Sequence, residues 1–151
     1  MGNTARHGPW NVGQGARIRA TIPSSLEYRD LAIRLVASAC NLVSRSRDSF
    51  QDEVVSAFGE ALNNVVLHGR PAPEAEIDIE IQPAPDHLTI RLMDYGRSFD
   101  PRTAPEPDLD SLPESGLGAY IMRSFMDDIS YASGTPNTLT MTKYLRREGR
   151  P

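Results

Sequence analysis

Apolar positions change their spacing several times along this chain, and each change marks an element. Residues 16–22 alternate, with Ile18, Ala20 and Ile22 on one side and Arg17, Arg19 and Thr21 on the other. That pattern predicts a short strand, ended by Pro23. Ser24 or Ser25 then offers an N-cap, and Leu31, Leu35, Ala39 and Leu42 recur at helical spacing, predicting a helix to about Ser44. A second helix is expected from about Ser49 to His68, with Phe50, Val54, Ala57, Phe58, Ala61 and Val65 as its stripe and Gly69 and Pro71 as its stop. Residues 75–82 and 87–93 read as two strands joined across Pro83-Ala84-Pro85-Asp86, a hairpin. Pro101, Pro105, Pro107 and Pro113 exclude regular structure from 100–115. A third helix opens at Gly116-Leu117-Gly118 and reaches about Met126. Residues 128–133 and 138–145 then form closing strands around Gly134-Thr135-Pro136-Asn137.

This order predicts an α+β fold, a two-layer sandwich with helices on one face of a mixed, mostly antiparallel sheet. Residues 1–15 lack periodicity and read as a flexible N-terminal tail, 16–146 as one domain, and 147–151 as a C-terminal tail. At 151 residues the chain can bury a real core. Cys40 is the only cysteine, which excludes an intrachain disulfide and favours a reducing compartment; its apolar neighbours suggest a buried thiol. No apolar run approaches membrane-spanning length and no signal-peptide core opens the chain, so the expectation is a cytoplasmic protein away from the membrane. A net charge of −4 gives no general reason to expect nucleic-acid binding. Residues 1–50 nevertheless hold seven arginines against three acids. Such a basic half suits either an acidic partner or a solvated helix face.

Three groups of residues carry candidate chemistry. Glu60, Asn64 and His68 stand four apart on the second helix, and each step drifts by only about 40°, so they form one row beside the apolar stripe. An acid and an amide there suit a hard cation or the orientation of a hydroxyl nucleophile. The plain reading is a polar helix flank. Asp94-Tyr95-Gly96 ends an apolar strand, where a carboxylate needs a donor and an adenine amino group is one; an ordinary Asp-x-Gly turn is the other reading. Gly116-Leu117-Gly118 leads into a helix whose free N–H groups would cradle phosphate. No Gly-Lys-Ser/Thr follows, so it is not a P-loop, and a flexible hinge is the competing reading.

Taken together, these segments resemble the nucleotide-binding fold shared by gyrase, the Hsp90 chaperone, the histidine kinases and the mismatch-repair ATPases. More narrowly they resemble the small anti-sigma-factor serine kinases of bacterial sporulation and stress control. The likeness spans about 16–146 and is densest at Glu60–His68, at Asp94-Tyr-Gly-Arg-Ser-Phe-Asp100-Pro and over 116–127. It implies that Asn64 is the ligand of a magnesium ion holding the nucleotide phosphates, and that Glu60 is the general base for a substrate serine. It implies that Asp94 accepts a hydrogen bond from adenine with Gly96 beneath the ring, and that Thr138 reaches the adenine. Gly116 and Gly118, with Leu117 between them, would close a phosphate-covering lid whose mobile part is 100–115, and His68 would complete the nucleotide-binding set. Arg29 falls where the family meets its protein partners.

The resemblance also implies a function. The protein would bind a sigma factor, as a homodimer, while ATP is bound. It would then phosphorylate a serine of an anti-anti-sigma protein of the sulfate-transporter/anti-sigma-antagonist (STAS) type, returning ADP. Two departures stand out: Ser98 replaces the second glycine of Asp-x-Gly-x-Gly, and Arg102 is the one basic residue between Asp100 and Ser115. An acidic lid leaves a second reading, a nucleotide-gated protein-binding module with little or no kinase activity; the intact Glu60 argues against it.

Overall fold

The computed structural model describes residues 15–44, 49–69, 72–111 and 117–146. The strands are β1 (Ile18–Pro23), β2 (Glu76–Pro83), β3 (His87–Asp94), β4 (Asp128–Ala132) and β5 (Asn137–Tyr144). The helices are α1 (Arg29–Cys40), α2 (Ser49–His68) and α3 (Leu117–Phe125). The strands form one sheet in the order β1-β2-β3-β5-β4. Every pairing is antiparallel, so the sheet is not mixed as the sequence suggested. The rest of the expected fold class stands: among the described residues, three α-helices and a five-stranded sheet make an α+β fold.

Alternation along the central strands explains the two layers. Ile77, Ile79 and Ile81 on β2, Leu88, Ile90 and Leu92 on β3, and Leu139 and Met141 on β5 are all buried. Paired positions such as Ile79–Leu92–Leu139 share a face, and α2 covers it with Val54, Ala57, Phe58, Ala61 and Leu62. Each such side chain contributes about 1.5–3 kcal/mol by burial. The sheet's other face is polar. There Glu80 is only 6% exposed, because Arg19 and Arg91 each donate to its carboxylate at 2.9 Å and Gln82 at 2.8 Å. Burial opposes ionisation of Glu80, but the Arg19 hydrogen bond and the charges of Arg17 and Arg19 hold its carboxyl below the ordinary value.

Two expectations about α1 are corrected. The helix proper starts at Arg29, after a single 3-10 turn at Leu26–Tyr28 capped by the Ser25 hydroxyl, and ends at Cys40 instead of near Ser44. Its buried line is Ala32, Val36, Ala39 and Cys40, whereas Leu31 is 61% and Leu42 48% exposed. Small side chains let the helix lie close to its neighbours; Leu35 packs against the core from the side, and Leu31 is left on the exposed flank. Cys40 is buried as expected, and desolvation pushes its thiol up to about 12. No helix among the described residues is long and apolar enough to cross a membrane.

Candidate active site

The site forms where α2, the end of β3 and α3 meet. Asn64 and Asp94 line one cavity, with Val65, Met122 and Leu139 as its apolar wall and Arg97 and Phe99 at its edge. The cavity holds about 20 Å³, roughly the room of one water molecule, so a purine entering it must displace side chains. An acceptor beside an apolar wall suits recognition of the amino edge of a purine such as adenine.

Asp94 is held by a residue that the sequence reading passed over as a turn position. Asn137, 1% exposed, donates from Nδ2 to Asp94 Oδ1 at 3.2 Å and to the Gly96 carbonyl at 2.8 Å. Its Oδ1 accepts from the Ser98 hydroxyl at 2.8 Å and from Gly134 N at 3.0 Å. All four hydrogen-bonding valences of the amide are used. Asp94 Oδ1 also accepts from Gly96 N at 2.9 Å, so within this network the second carboxylate oxygen is the one left for a ligand. Gly96 is required by another backbone: a Cβ there would lie 2.6 Å from the Gly69 carbonyl oxygen, which already accepts from Arg97 N at 2.7 Å. The Asp94 loop is thereby stitched to the C-terminal end of α2.

The row on α2 is spread along the site. Glu60 stands at the start of α3, where a Cβ on Gly118 would lie 2.7 Å from Glu60 Oε2. Asn64 is in the cavity, and His68 lies beyond it, exposed and stacked on Phe99 with ring centroids 5.9 Å apart. Leu117 and Gly118 form the first turn of α3, while Gly116 and residues 112–115 lie outside the described residues. The Gly118→Ala substitution should move the Glu60 carboxylate without unfolding the chain, because the obstructing atom ends a flexible side chain. We expect about tenfold slower turnover at unchanged melting temperature, read by kinetics and calorimetry side by side.

Thr138, expected at the adenine, does not line the cavity, and Arg29, expected at a partner surface, packs against α2. Thr138 pairs with Met93, and strand alternation turns it to the sheet face opposite Asp94; on β5 it is Asn137 and Leu139 that face the site. Arg29 crosses α2, donating from Nε to Asn63 Oδ1 at 2.8 Å and occupying the space beside Gly59. The lid arginine is committed as well. Arg102 donates to Asp100 through its backbone N, Nε and Nη2 at 2.8–3.2 Å. Those hydrogen bonds, outweighing burial, hold the Asp100 carboxyl below its ordinary value. Arg97, by contrast, makes none of the ion pairs found among the described residues.

Nor do three His, Cys, Asp or Glu side chains converge among the described residues. Asn64 offers a single amide oxygen, so a magnesium ion there would draw most of its ligands from phosphate oxygens and water, its usual habit. The site fits a metal that arrives with a nucleotide.

A sequence model of the histidine kinase-like ATPase domain matches residues 22–143. The chain belongs to the histidine kinase-like ATPase family. Within it, the matching relatives are serine-protein kinases. The serine-protein kinases RsbW of Bacillus cereus (strain Q1) and Bacillus thuringiensis subsp. konkukian (strain 97-27) are each 33% identical over 141 residues, covering 87% of both chains. A crystal structure of the RsbU and RsbW domains of a Mycobacterium tuberculosis protein shares the fold, with a TM-score of 0.63 at 15% identity. That match covers 89% of this chain and 34% of the other. The resemblance read from the three motif segments is borne out, and the chain groups with the serine-protein kinases of the anti-sigma type.

Proposed function

We propose that the protein is an ATP-dependent serine kinase and anti-sigma factor of a bacterial partner-switching module. The observation that carries this reading is the contact between Glu60 and the first turn of α3, next to the cavity that Asn64 shares with Asp94. A general base and a phosphate-binding helix start are side by side, with a base-recognising carboxylate at the far end.

In this reading Asp94 accepts from the adenine amino group, and Asn137 fixes the carboxylate for it. Asn64 would hold magnesium, which would neutralise charge on the phosphates. The N–H groups at Leu117 and Gly118 point toward the terminal phosphate, with Gly116 and the 100–115 lid closing over it and His68 flanking the nucleotide. Glu60 takes the proton of the acceptor serine as its oxygen attacks the terminal phosphorus and ADP leaves. With Arg102 engaged by Asp100, Arg97 is the arginine at the cavity edge free to meet phosphate charge. The acceptor is a STAS-type anti-anti-sigma protein, and the partner held in the ATP state is a sigma factor, bound by a cytoplasmic homodimer through the surface around Arg29. Phosphorylation would weaken the antagonist complex by adding charge at a packed interface.

Sizing chromatography with the sigma factor and the antagonist encoded nearest to this protein tests the switch. Sigma factor should co-elute in Mg·ATP and be displaced by unphosphorylated antagonist only. Co-elution indifferent to nucleotide and to phosphorylation would contradict the proposal.

A further inference from the structure

The core-facing side of β5 runs Asn137, Leu139, Met141 and then, against the apolar pattern, Lys143. Its side chain is 4% exposed. A buried ammonium is costly unless fully paired, and here it is. Nζ is ion-paired with Glu53 Oε2 on α2 and donates to the Phe125 carbonyl at 2.6 Å, with Asp127 Oδ1 at 4.0 Å. Phe125 ends α3, so the lysine satisfies a carbonyl that the helix leaves open and sits at the negative end of its dipole.

Glu53 lies seven residues before Glu60 on α2, and Gly118 lies seven residues before Phe125 on α3. At 1.5 Å per residue both spans are about 10.5 Å. The helices thus make two contacts a matched distance apart: Glu53–Lys143–Phe125 at one end, Glu60–Gly118 at the other. We infer that Lys143 is a positioning residue, a latch that sets α3 against α2 in the register bringing its phosphate-facing first turn to Glu60. This rests on the proposed roles of Glu60 and α3. Glu53, Asp127 and the α3 carboxyl end are the groups it acts through; it touches no substrate itself.

The test compares Lys143→Met, Glu53→Gln and the apolar pair Glu53→Leu/Lys143→Met. Hydrogen exchange should quicken about tenfold or more in the α3 amides of Lys143→Met while β2 and β3 stay protected. At saturating ATP, kcat for phosphotransfer should fall about 10²-fold, with adenosine affinity within about threefold, because adenosine uses only the Asp94 end. Glu53→Gln should lie between. The apolar pair should regain melting temperature yet stay slow; it also carries the test if Lys143→Met does not fold. Unchanged α3 exchange, or an apolar pair that recovers kcat along with stability, would overturn the latch. A wild-type protein that transfers no phosphate would instead overturn the kinase reading, leaving the exchange data to judge the latch alone.

Discussion

Replacing Glu60 with glutamine should slow phosphotransfer by about 10²–10⁴-fold while ATP affinity stays within about threefold. Glutamine keeps the shape of the side chain beside Gly118 but cannot accept the serine proton. The groups that recognise the nucleotide, Asp94 on β3 and Asn64 one turn further along α2, are untouched. Transfer that survives this change would assign proton removal to another group. A parallel loss of ATP affinity would make Glu60 a binding residue. Stopped-time phosphotransfer together with equilibrium titration of a fluorescent nucleotide separates the outcomes.

The second large effect belongs to Asn137. Asn137→Leu keeps the branching and heavy-atom count of the side chain but leaves the Gly96 carbonyl, Gly134 N, the Ser98 hydroxyl and Asp94 Oδ1 short of a partner each. Leaving such groups unpaired costs about 1–3 kcal/mol apiece where they stay dry, so a net loss of about 2–4 kcal/mol in denaturant unfolding is expected. Asp94 also loses the group that fixes its carboxylate, and ATP affinity should fall at least about tenfold. Thr138→Val is the matched control. It alters the adjacent residue on the opposite sheet face and should change neither quantity. Equal effects of the two substitutions would mean that the face assignment of β5 is wrong.

These two positions also illustrate what the sequence conceals. The existence of β5 was legible from alternation, but one residue of register decides which half of the alternation meets Asp94. Nothing in Gly134-Thr135-Pro136-Asn137 states where the loop ends and pairing begins. The nucleotide-facing role of Thr138 rested on the family resemblance alone, and Asn137 read as a turn residue. Helix α2 was legible at both ends, because its twenty residues carry a stripe long enough to fix phase and its stop signal is strong. Helix α1 was only partly so: Ala39 was placed on the buried side, but Leu31 and Leu42 outweigh Ala32 in a reading by hydrophobicity, whereas packing buries Ala32 and Val36 instead. The commitment of Arg102 to Asp100 arises from a local turn that composition does not reveal. Lys143 was not singled out from the sequence, and its partners become apparent only once α2 and α3 lie on the sheet.

The most direct test of the central claim is phosphotransfer itself. The protein is mixed with Mg·ATP and the antagonist encoded nearest to it, and the antagonist is followed by intact mass. The account predicts one added phosphate on a single serine, absent when Glu60→Gln replaces the wild type. Tight ATP binding that is lost with Asp94→Asn, but with no phosphate on the antagonist, would contradict it.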